Sequence, residues 1–158
     1  MTGKIKVLFV CHGNICRSTM AQSVFAHMVK ELRRENDFEI DSAATSTEEI
    51  GNRPHYGTVD KLRKEGIPLI DHRARRMTRD DYLYYDYLIG MDDANIRNMT
   101  AIAGGEDSQK KIYKLLSFCG ENDSVADPWY TGDFDATYYD VTRGCKAFLS
   151  QILKSSQD

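Results

Sequence analysis

The arrangement of apolar and polar residues along the chain predicts strands that alternate with helices. Short, nearly continuous apolar runs, typical of strands buried on both faces, lie at residues 6–10, 38–43, 86–91 and 110–116. Helical patterns lie at residues 18–34, 58–65, 92–103 and 135–154, although Gly144 is a poor helix former within the last of them. Strands separated by helices indicate βαβ units. The predicted fold class is therefore α/β, a doubly wound, four-stranded parallel sheet with helices on both faces.

Length and composition limit the possible classes of function. A chain of 158 residues predicts one domain, residues 1–158, large enough to bury a core. The formal net charge of −3 argues against a nucleic-acid or membrane-surface partner. No segment approaches the ~20 apolar residues of a membrane span, and the N-terminal apolar run is too short for a signal peptide. We expect a cytoplasmic protein, a monomer or weak dimer, whose four cysteines are thiols.

The segment after the first predicted strand has the features of an anion site. Residues 11–18 read CHGNICRS, and a helix is predicted to begin at Ser18. A loop that leads into a helix N-terminus directs several backbone N–H groups, and the positive end of the helix dipole, at one point. Gly13 and Asn14 tolerate unusual backbone conformations, and the planar Arg17 guanidinium can bind two phosphate oxygens. The same field stabilises a thiolate at Cys11, so that nucleophile and anion site coincide.

Other interpretations of this segment are less specific. A single buried cysteine more often serves as a small apolar residue. A Walker A loop is excluded because no G-K-[ST] appears, and a metal site is disfavoured because Cys11 and Cys16 lack a second ligand pair at suitable spacing. The combination of strand, Cys11, five-residue loop, Arg17 and Ser18 instead favours attack by Cys11 on a bound phosphate monoester, without a metal or cofactor.

The segment closely resembles the active-site signature of the low molecular weight protein tyrosine phosphatases, and the resemblance extends over nearly the whole chain. Further matching motifs, in the family's order and spacing, are DSAATS at 41–46, HRARRMT at 72–78, DYLIGMDDANI at 86–96 and DPWYTG at 127–132. The resemblance implies a flavodoxin-like parallel sheet and a metal-free cysteine mechanism on a phosphotyrosine-containing protein or peptide. It implies that Cys11 is the nucleophile, Arg17 the phosphate clamp and Asp127 the general acid.

The resemblance also implies roles for the residues around these three. The phosphate-binding loop would include His12, Gly13, Asn14, Ile15, Cys16 and Ser18, with Ser18 donating to the thiolate. Asn14, Ser42 and His72 resemble a polar network that holds the loop in shape. Helix capping alone explains Asp92, and only the family implies a supporting role for it. His12 should point outward, because the backbone N–H groups of its neighbours bind the anion.

The expected proton donor for the leaving oxygen is Asp127. Pro128 restricts Asp127 to extended geometry and stiffens the loop, so that the carboxyl can be aimed across a cleft. Asp-Pro alone is a common turn signal, and the following residues together with the resemblance favour a general acid that later acts as base. Trp129 and Tyr130 are either an aromatic wall against a phosphotyrosine ring or residues of the core or of the rim.

One loop departs from the family pattern. Ala44 stands where the family usually has glycine, and Glu48 and Glu49 stand where a bulky aromatic residue is often found. These two carboxylates are predicted to line the substrate wall at the entrance of the site. Their charge should disfavour acidic phosphopeptides, with an effect that salt screens.

The second cysteine of the loop has two interpretations. In the family, a cysteine at the position of Cys16 can form a reversible disulfide with the nucleophile and protect it from further oxidation. The alternative is a passive small residue packed beneath the loop. Cys119 and Cys145 are expected to be structural.

Three alternative functions agree less well with the sequence than a phosphotyrosine phosphatase does. Arsenate reductases of the same fold use further cysteines before or at the third strand, and residues 82–89 contain none. Protein-arginine phosphatases favour threonine where this loop has the bulkier Ile15. A phosphate-binding module without activity would need neither Cys11 nor Asp127. The sequence therefore predicts a phosphotyrosine phosphatase that acts through a cysteinyl-phosphate intermediate.

Overall fold

The computed structural model describes residues 3–155, which build one parallel sheet between helices. The strands are β1 (Ile5–Cys11), β2 (Phe38–Ala44), β3 (Tyr87–Gly90) and β4 (Ile112–Lys114). They pair in the order β2-β1-β3-β4, and every pairing is parallel. The predicted fold class, a flavodoxin-like α/β fold with four parallel strands, is confirmed.

Four helices of the structure correspond to helices predicted from the sequence pattern, and two further helices were not predicted. They are α1 (Arg17–Glu31), α2 (Tyr56–Lys64), α3 (Arg79–Tyr84), α4 (Asp93–Ile102), α5 (Pro128–Thr131) and α6 (Phe134–Ser155). The apolar pattern does not predict α3, α5 or the 3-10 helices Glu35–Asp37 and Leu115–Cys119. The last strand is shorter than predicted because the 3-10 helix begins at Leu115. Similarly, α1 ends before residue 34, since Arg33 adopts a left-handed φ of 58°.

Two buried layers lie on opposite faces of the sheet. On one face, Phe9 of β1 packs against Phe25 of α1 with ring centroids 5.6 Å apart, and Phe25 packs against Phe148 of α6 at 5.3 Å. On the other face, Leu8 belongs to a cluster that includes Met99 of α4. Successive residues of β1 therefore point to opposite faces. Both faces are buried, which explains why the β1 segment is apolar without interruption.

Gly144 lies inside α6 without ending it. A Cβ atom at this position would lie 2.5 Å from Cγ of Leu115, so any side chain would collide with the 3-10 helix. Glycine thus permits the close approach of the two segments, and this packing outweighs its helix penalty of roughly 1 kcal/mol. Although α6 has 22 residues, none of the helices in the described part of the chain is both long and apolar enough to cross a membrane.

The fold places the segment 11–18 at a crevice. β1 ends at Cys11, and α1 begins at Arg17. β2 lies on one side of β1 and β3 on the other, so the connections leave the central strands in opposite directions. Sheets of this kind bind ligands outside the carboxyl ends of the strands at such a switch point.

Candidate active site

The loop between β1 and α1 surrounds the sulfur of Cys11. The Asn14 N–H donates to Cys11 Sγ at 3.3 Å, and Ser18 Oγ lies 3.0 Å from the same sulfur. Asn14 adopts a left-handed φ of 63°, which its side chain type tolerates. Cys11 is only 3% exposed, close to the N-terminus of α1. The Asn14 N–H and the positive end of the helix dipole are therefore both directed at this sulfur.

A buried polar network holds the loop from beneath. Asn14 Nδ2 donates to Ser18 Oγ at 2.7 Å and to Ser42 Oγ at 3.0 Å. Asn14 Oδ1 accepts from His72 Nε2 at 2.7 Å and from the Arg75 N–H at 3.2 Å. Asn14 is fully buried, so these bonds are shielded from water. The structure thus brings Asn14, Ser42 and His72 together, as the resemblance implies.

The environment of His72 favours a neutral imidazole. Burial lowers the pKa of His72, while Asp41, whose Oδ1 lies 3.5 Å from Nδ1, opposes that shift. The positive charge of Arg75 lowers the pKa further. A neutral ring that carries its proton on Nε2 donates to Asn14 Oδ1, as the 2.7 Å contact requires.

Two members of this network are not predicted by the sequence pattern. Gln22 accepts the Ser42 hydroxyl at 2.5 Å, and Arg75 joins Asp41 to Asp81 through its guanidinium at 3.2 and 2.9 Å. A signal for Gln22 existed, because it lies four residues after Ser18 on the same face of α1. Arg75 lies in a run of basic residues, where charge alone does not reveal which arginine is held by carboxylates.

Arg17 lies at the base of the site between two carboxylates. Its Nη1 donates to Asp92 Oδ2 at 2.8 Å and to the Val125 carbonyl at 3.2 Å, and its Nη2 lies 3.3 Å from Asp127 Oδ2. Burial alone would lower the pKa of Arg17, but the negative charges of Cys11, Asp127 and Asp92 raise it. The guanidinium is therefore a fixed positive charge beside the Cys11 sulfur. Asp92 also caps α4 by accepting the Asn95 N–H at 2.7 Å, so the same side chain contacts both Arg17 and the start of a helix.

Asp127 begins a short helix at the other side of the site. It has extended backbone angles, φ −94° and ψ 107°, as expected before proline, and its Oδ1 accepts the Trp129 N–H at 3.1 Å. Trp129 and Tyr130 are 62% and 85% exposed. They lie at the mouth of the site and not in the core, an exposure that agrees with a wall of the site and with a position at its rim.

One cavity of about 460 Å³ joins these parts. Cys11 and Arg17 line it together with the loop residues His12, Gly13, Ile15 and Cys16, and its walls include Glu48, Glu49, Asp92, Asp127, Trp129 and Tyr130. Asn14, Ser18, Ser42 and His72 do not line the cavity and act from below it. In the part of the chain that the structure describes, no group of three or more His, Cys, Asp or Glu side chains could hold a metal ion.

The two glutamates at the mouth have different surroundings. His12 points outward, as predicted, and its Nε2 lies 2.8 Å from Glu48 Oε2, with both side chains more than half exposed. Glu49 accepts from Asn52 Nδ2 at 2.5 Å and packs close to Gly13, where an added Cβ would meet its Cγ at 3.4 Å. Glu49 therefore lies directly over the phosphate-binding loop, whereas Glu48 lies at its outer rim.

The four cysteines are free thiols with unequal surroundings. Burial, followed by the negative charges of Cys11 and Asp127, raises the pKa of Cys16 to about 12. Burial also raises the pKa of Cys119 and of the fully buried Cys145. These three thiols are therefore protonated at neutral pH.

Comparisons with known proteins agree with this geometry. Residues 6–158 match the family described as low molecular weight phosphotyrosine protein phosphatase. The chain is 42% identical over 154 residues to the low molecular weight phosphotyrosine protein phosphatase of Gallus gallus, with 94% of this chain and 97% of that protein covered. It is 39% identical over 155 residues to the low molecular weight protein-tyrosine-phosphatase YfkJ of Bacillus subtilis, with coverages of 97% and 99%.

Solved structures give the same result. The crystal structure of YfkJ from Bacillus subtilis superposes with a TM-score of 0.93 at 38% identity, covering 98% of both chains. A Drosophila arginine phosphatase superposes with a TM-score of 0.82 at 28% identity, covering 93% of this chain and 97% of the other. On the family match and these identities, the chain belongs to the low molecular weight phosphotyrosine protein phosphatase family, a family of hydrolases.

Proposed function

We propose that Cys11, Arg17 and Asp127 carry out phosphotyrosine hydrolysis through a cysteinyl-phosphate intermediate. The observation that carries this proposal is the convergence of a hydrogen-bonded sulfur, a buried guanidinium and a carboxyl group on one cavity. A thiolate needs positive surroundings, a phosphate dianion needs donors, and a leaving phenol needs a proton. The three requirements are met within one cavity, at the N-terminus of a helix.

In the first step, the Cys11 thiolate attacks phosphorus. The S–P bond forms while the bond to the tyrosine oxygen breaks, and the protonated Asp127 carboxyl gives its proton to that oxygen. The loop N–H groups and the Arg17 guanidinium bind the three non-bridging oxygens, whose charge grows in the transition state. The products of this step are the free phenol and phosphocysteine.

In the second step, water replaces the sulfur. The Asp127 carboxylate, left by the first step, accepts a proton from water as the oxygen attacks phosphorus, and the S–P bond breaks to give inorganic phosphate. The Ser18 hydroxyl, 3.0 Å from Sγ, stabilises the departing thiolate by donating a hydrogen bond to it and keeps its proton. This step restores both the thiolate and the protonated acid.

The walls of the cavity favour an aromatic phosphate ester. Trp129 and Tyr130 expose rings at the mouth, and Ile15 presents a bulky apolar side chain. The relatives at 42% and 39% identity are named phosphotyrosine phosphatases, whereas the arginine phosphatase is 28% identical. Phosphotyrosine in a protein or peptide is therefore the proposed substrate, and Glu48 and Glu49 make a basic or neutral peptide a better substrate than an acidic one.

Several properties complete the proposal. The enzyme acts as a single domain, residues 1–158, without a metal or cofactor, as a cytoplasmic monomer or weak dimer that engages neither nucleic acid nor membrane. Cys16 forms a reversible disulfide with Cys11 under oxidation, which inactivates the enzyme. The support for this disulfide is that Cys11 and Cys16 belong to one short loop and line one cavity.

The test is hydrolysis of para-nitrophenyl phosphate and a phosphotyrosine peptide in the presence of EDTA. We expect turnover by wild type, no turnover by Cys11→Ser, and a loss of about 10² or more in Asp127→Ala, because general acid catalysis is removed. Cys119→Ser is the matched control, since its sulfur does not line the cavity. Activity in Cys11→Ser would overturn the mechanism, and faster hydrolysis of phosphoarginine than of phosphotyrosine would overturn the substrate.

A further inference from the structure

We infer that Thr137 and Asp140 of α6 are positioning residues that aim the Asp127 carboxyl by binding both backbone polar groups of Ala126. This inference rests on the proposed role of Asp127 as general acid and base. It assigns to the last helix a part in the reaction, although neither side chain lines the cavity.

The contacts join one face of α6 to the residue before Asp127. The Ala126 N–H donates to Asp140 Oδ2 at 3.1 Å, and the Ala126 carbonyl accepts from Thr137 Oγ1 at 2.8 Å. Thr137 is fully buried, and the Asp140 side chain is only 16% exposed. Residues three apart lie on the same face of a helix, so α6 binds Ala126 on both sides of its Cα.

The preceding residue, Val125, is held by the end of β3 and by Arg17. The Val125 N–H donates to the Met91 carbonyl at 2.9 Å, and the Val125 carbonyl accepts from Arg17 Nη1 at 3.2 Å. All four backbone polar groups of Val125 and Ala126 are therefore bound. The segment is clamped between the arginine that binds phosphate and the helix α6, with Asp127 as the next residue.

The orientation of Asp140 is itself fixed. Its Oδ1 accepts from Arg143 Nε and Nη2 at 3.2 and 3.1 Å, which leaves Oδ2 directed at Ala126. The Arg143 Nη1 also binds the Glu121 carboxylate. Both the beginning and the end of the segment 121–126 are thus tied to one turn of α6, so that the carboxyl of Asp127 starts from a rigid base.

A displaced acid has a kinetic signature that simple destabilisation lacks. A poor leaving group such as phenol needs a proton, whereas 2,4-dinitrophenol leaves as the anion and needs none. The appropriate quantity is kcat/KM, because it covers the steps up to release of the phenol and omits hydrolysis of phosphocysteine. The test therefore compares kcat/KM for phenyl phosphate and for 2,4-dinitrophenyl phosphate in each variant.

We expect Thr137→Val and Asp140→Ala each to lower kcat/KM for phenyl phosphate by about tenfold, a part of the 10² to 10⁴ that a positioned acid supplies. For 2,4-dinitrophenyl phosphate, the expected loss is under about twofold, since that reaction does not use the acid. Thr137→Ser keeps the hydroxyl and should recover most of the activity on phenyl phosphate. Because Thr137→Val is nearly isosteric, it tests the inference even if Asp140→Ala does not fold.

The matched control is Thr142→Val, the same change on the same helix. Among the residues that the structure describes, none hydrogen-bonds the buried Thr142 hydroxyl, so the ratio of the two kcat/KM values should not change. The inference would be overturned if Thr137→Val lowered kcat/KM equally for the two phosphates. It would also be overturned if Thr142→Val changed the ratio of the two kcat/KM values as much as Thr137→Val does. Asp127→Asn distinguishes failure of the proposed acid role of Asp127 from failure of the inference about Thr137 and Asp140. If it lacks selective loss on phenyl phosphate, the proposed acid is wrong; if it has that loss and Thr137→Val does not, only the inference fails.

Discussion

The floor of the active site and its acid side are held in different ways. The floor, residues 11–18, surrounds Cys11 with groups of its own loop, and the buried side chain of Asn14 ties this loop to Ser42, His72 and Arg75. The acid side, residues 121–133, is held by hydrogen bonds to distant elements, namely Arg17, the end of β3 and α6. The groups of the proposed anion site are thus neighbours in the chain, while the proposed proton donor is oriented through contacts with distant elements.

This difference sets what each region controls. Changes in the floor should affect every phosphate ester and also inorganic phosphate, because all of them use the same donors. Changes on the acid side and at the mouth should depend on the leaving group and on the residues that flank it. The following predictions test this division.

The largest effect is expected for Asn14→Ala. Alanine at a φ of 63° is strained, and the loss of four hydrogen bonds to Ser18, Ser42, His72 and Arg75 leaves the loop unsupported. We expect kcat/KM to fall by about 10² for every aryl phosphate, as for other losses of precise orientation. Asn14→Gly, which tolerates the backbone angle, should lose less. Equal activity on all substrates in wild type and Asn14→Ala would show that the network is dispensable.

A smaller and substrate-dependent effect is expected for Trp129→Ala. Its exposed ring is proposed to contact the phosphotyrosine ring, and aromatic pairs of this kind contribute about 0.5–1.5 kcal/mol. We expect KM for a phosphotyrosine peptide to rise up to about tenfold, with the inhibition constant of inorganic phosphate unchanged. Tyr84→Ala, an exposed tyrosine of α3, is the control. Weaker inhibition by phosphate in Trp129→Ala would place this residue in the floor and contradict the division.

A few-fold effect is expected from the glutamates at the mouth. Replacing Glu48 and Glu49 together by lysine should raise kcat/KM for an acidic phosphotyrosine peptide by about two- to fivefold at low salt, because exposed charges interact weakly. The gain should disappear as ionic strength rises and should be absent for para-nitrophenyl phosphate. A gain that is constant across a salt series would point to a cause other than charge.

The smallest effect concerns stability and pH. The pKa of His72 is lowered on folding, so the unfolded chain binds its proton more readily near the ordinary value of about 6.5. The free energy of unfolding should therefore fall as pH falls through this range, because protonation favours the unfolded state. Urea unfolding between about pH 5 and 7.5 should show a smaller slope in His72→Gln than in wild type. Identical slopes would mean that folding does not depress the pKa of this histidine.

The sequence was most informative where structure is local. The continuous apolar run of β1, the turn at Asn14 and the start of α1 follow from residue types that are neighbours in the chain. The end of α1 was not predicted, because the left-handed Arg33 carries no sequence signal of its own. α3 was also not predicted, since its residues between Arg79 and Tyr84 give no clear apolar period, although Thr78 and Asp81 form a capping box that marks its start.

Long-range contacts explain the remaining differences. The motif at 127–132 and the resemblance predict Asp127 as the proton donor, but Thr137 and Asp140 bind Ala126 through tertiary packing that no local pattern reveals. From the sequence, Gly144 is a poor helix former within α6. Only the packing of Leu115 against this position explains why a glycine is present there. The exposure of Trp129 likewise results from the position of α5 at the surface. The composition of that segment does not indicate whether the ring is buried or exposed.

The burial of Cys16 offers a way to count working molecules. Alkylating reagents react with thiolates, and the pKa of Cys16 is raised to about 12, with the pKa values of Cys119 and Cys145 raised as well. A slow reagent at neutral pH should therefore attach a single label, at Cys11, to each correctly folded chain. The mass spectrum of the intact protein then gives the fraction of chains with no label, one label or several labels. Unlabelled chains indicate inactive or oxidised enzyme, and multiply labelled chains indicate unfolding.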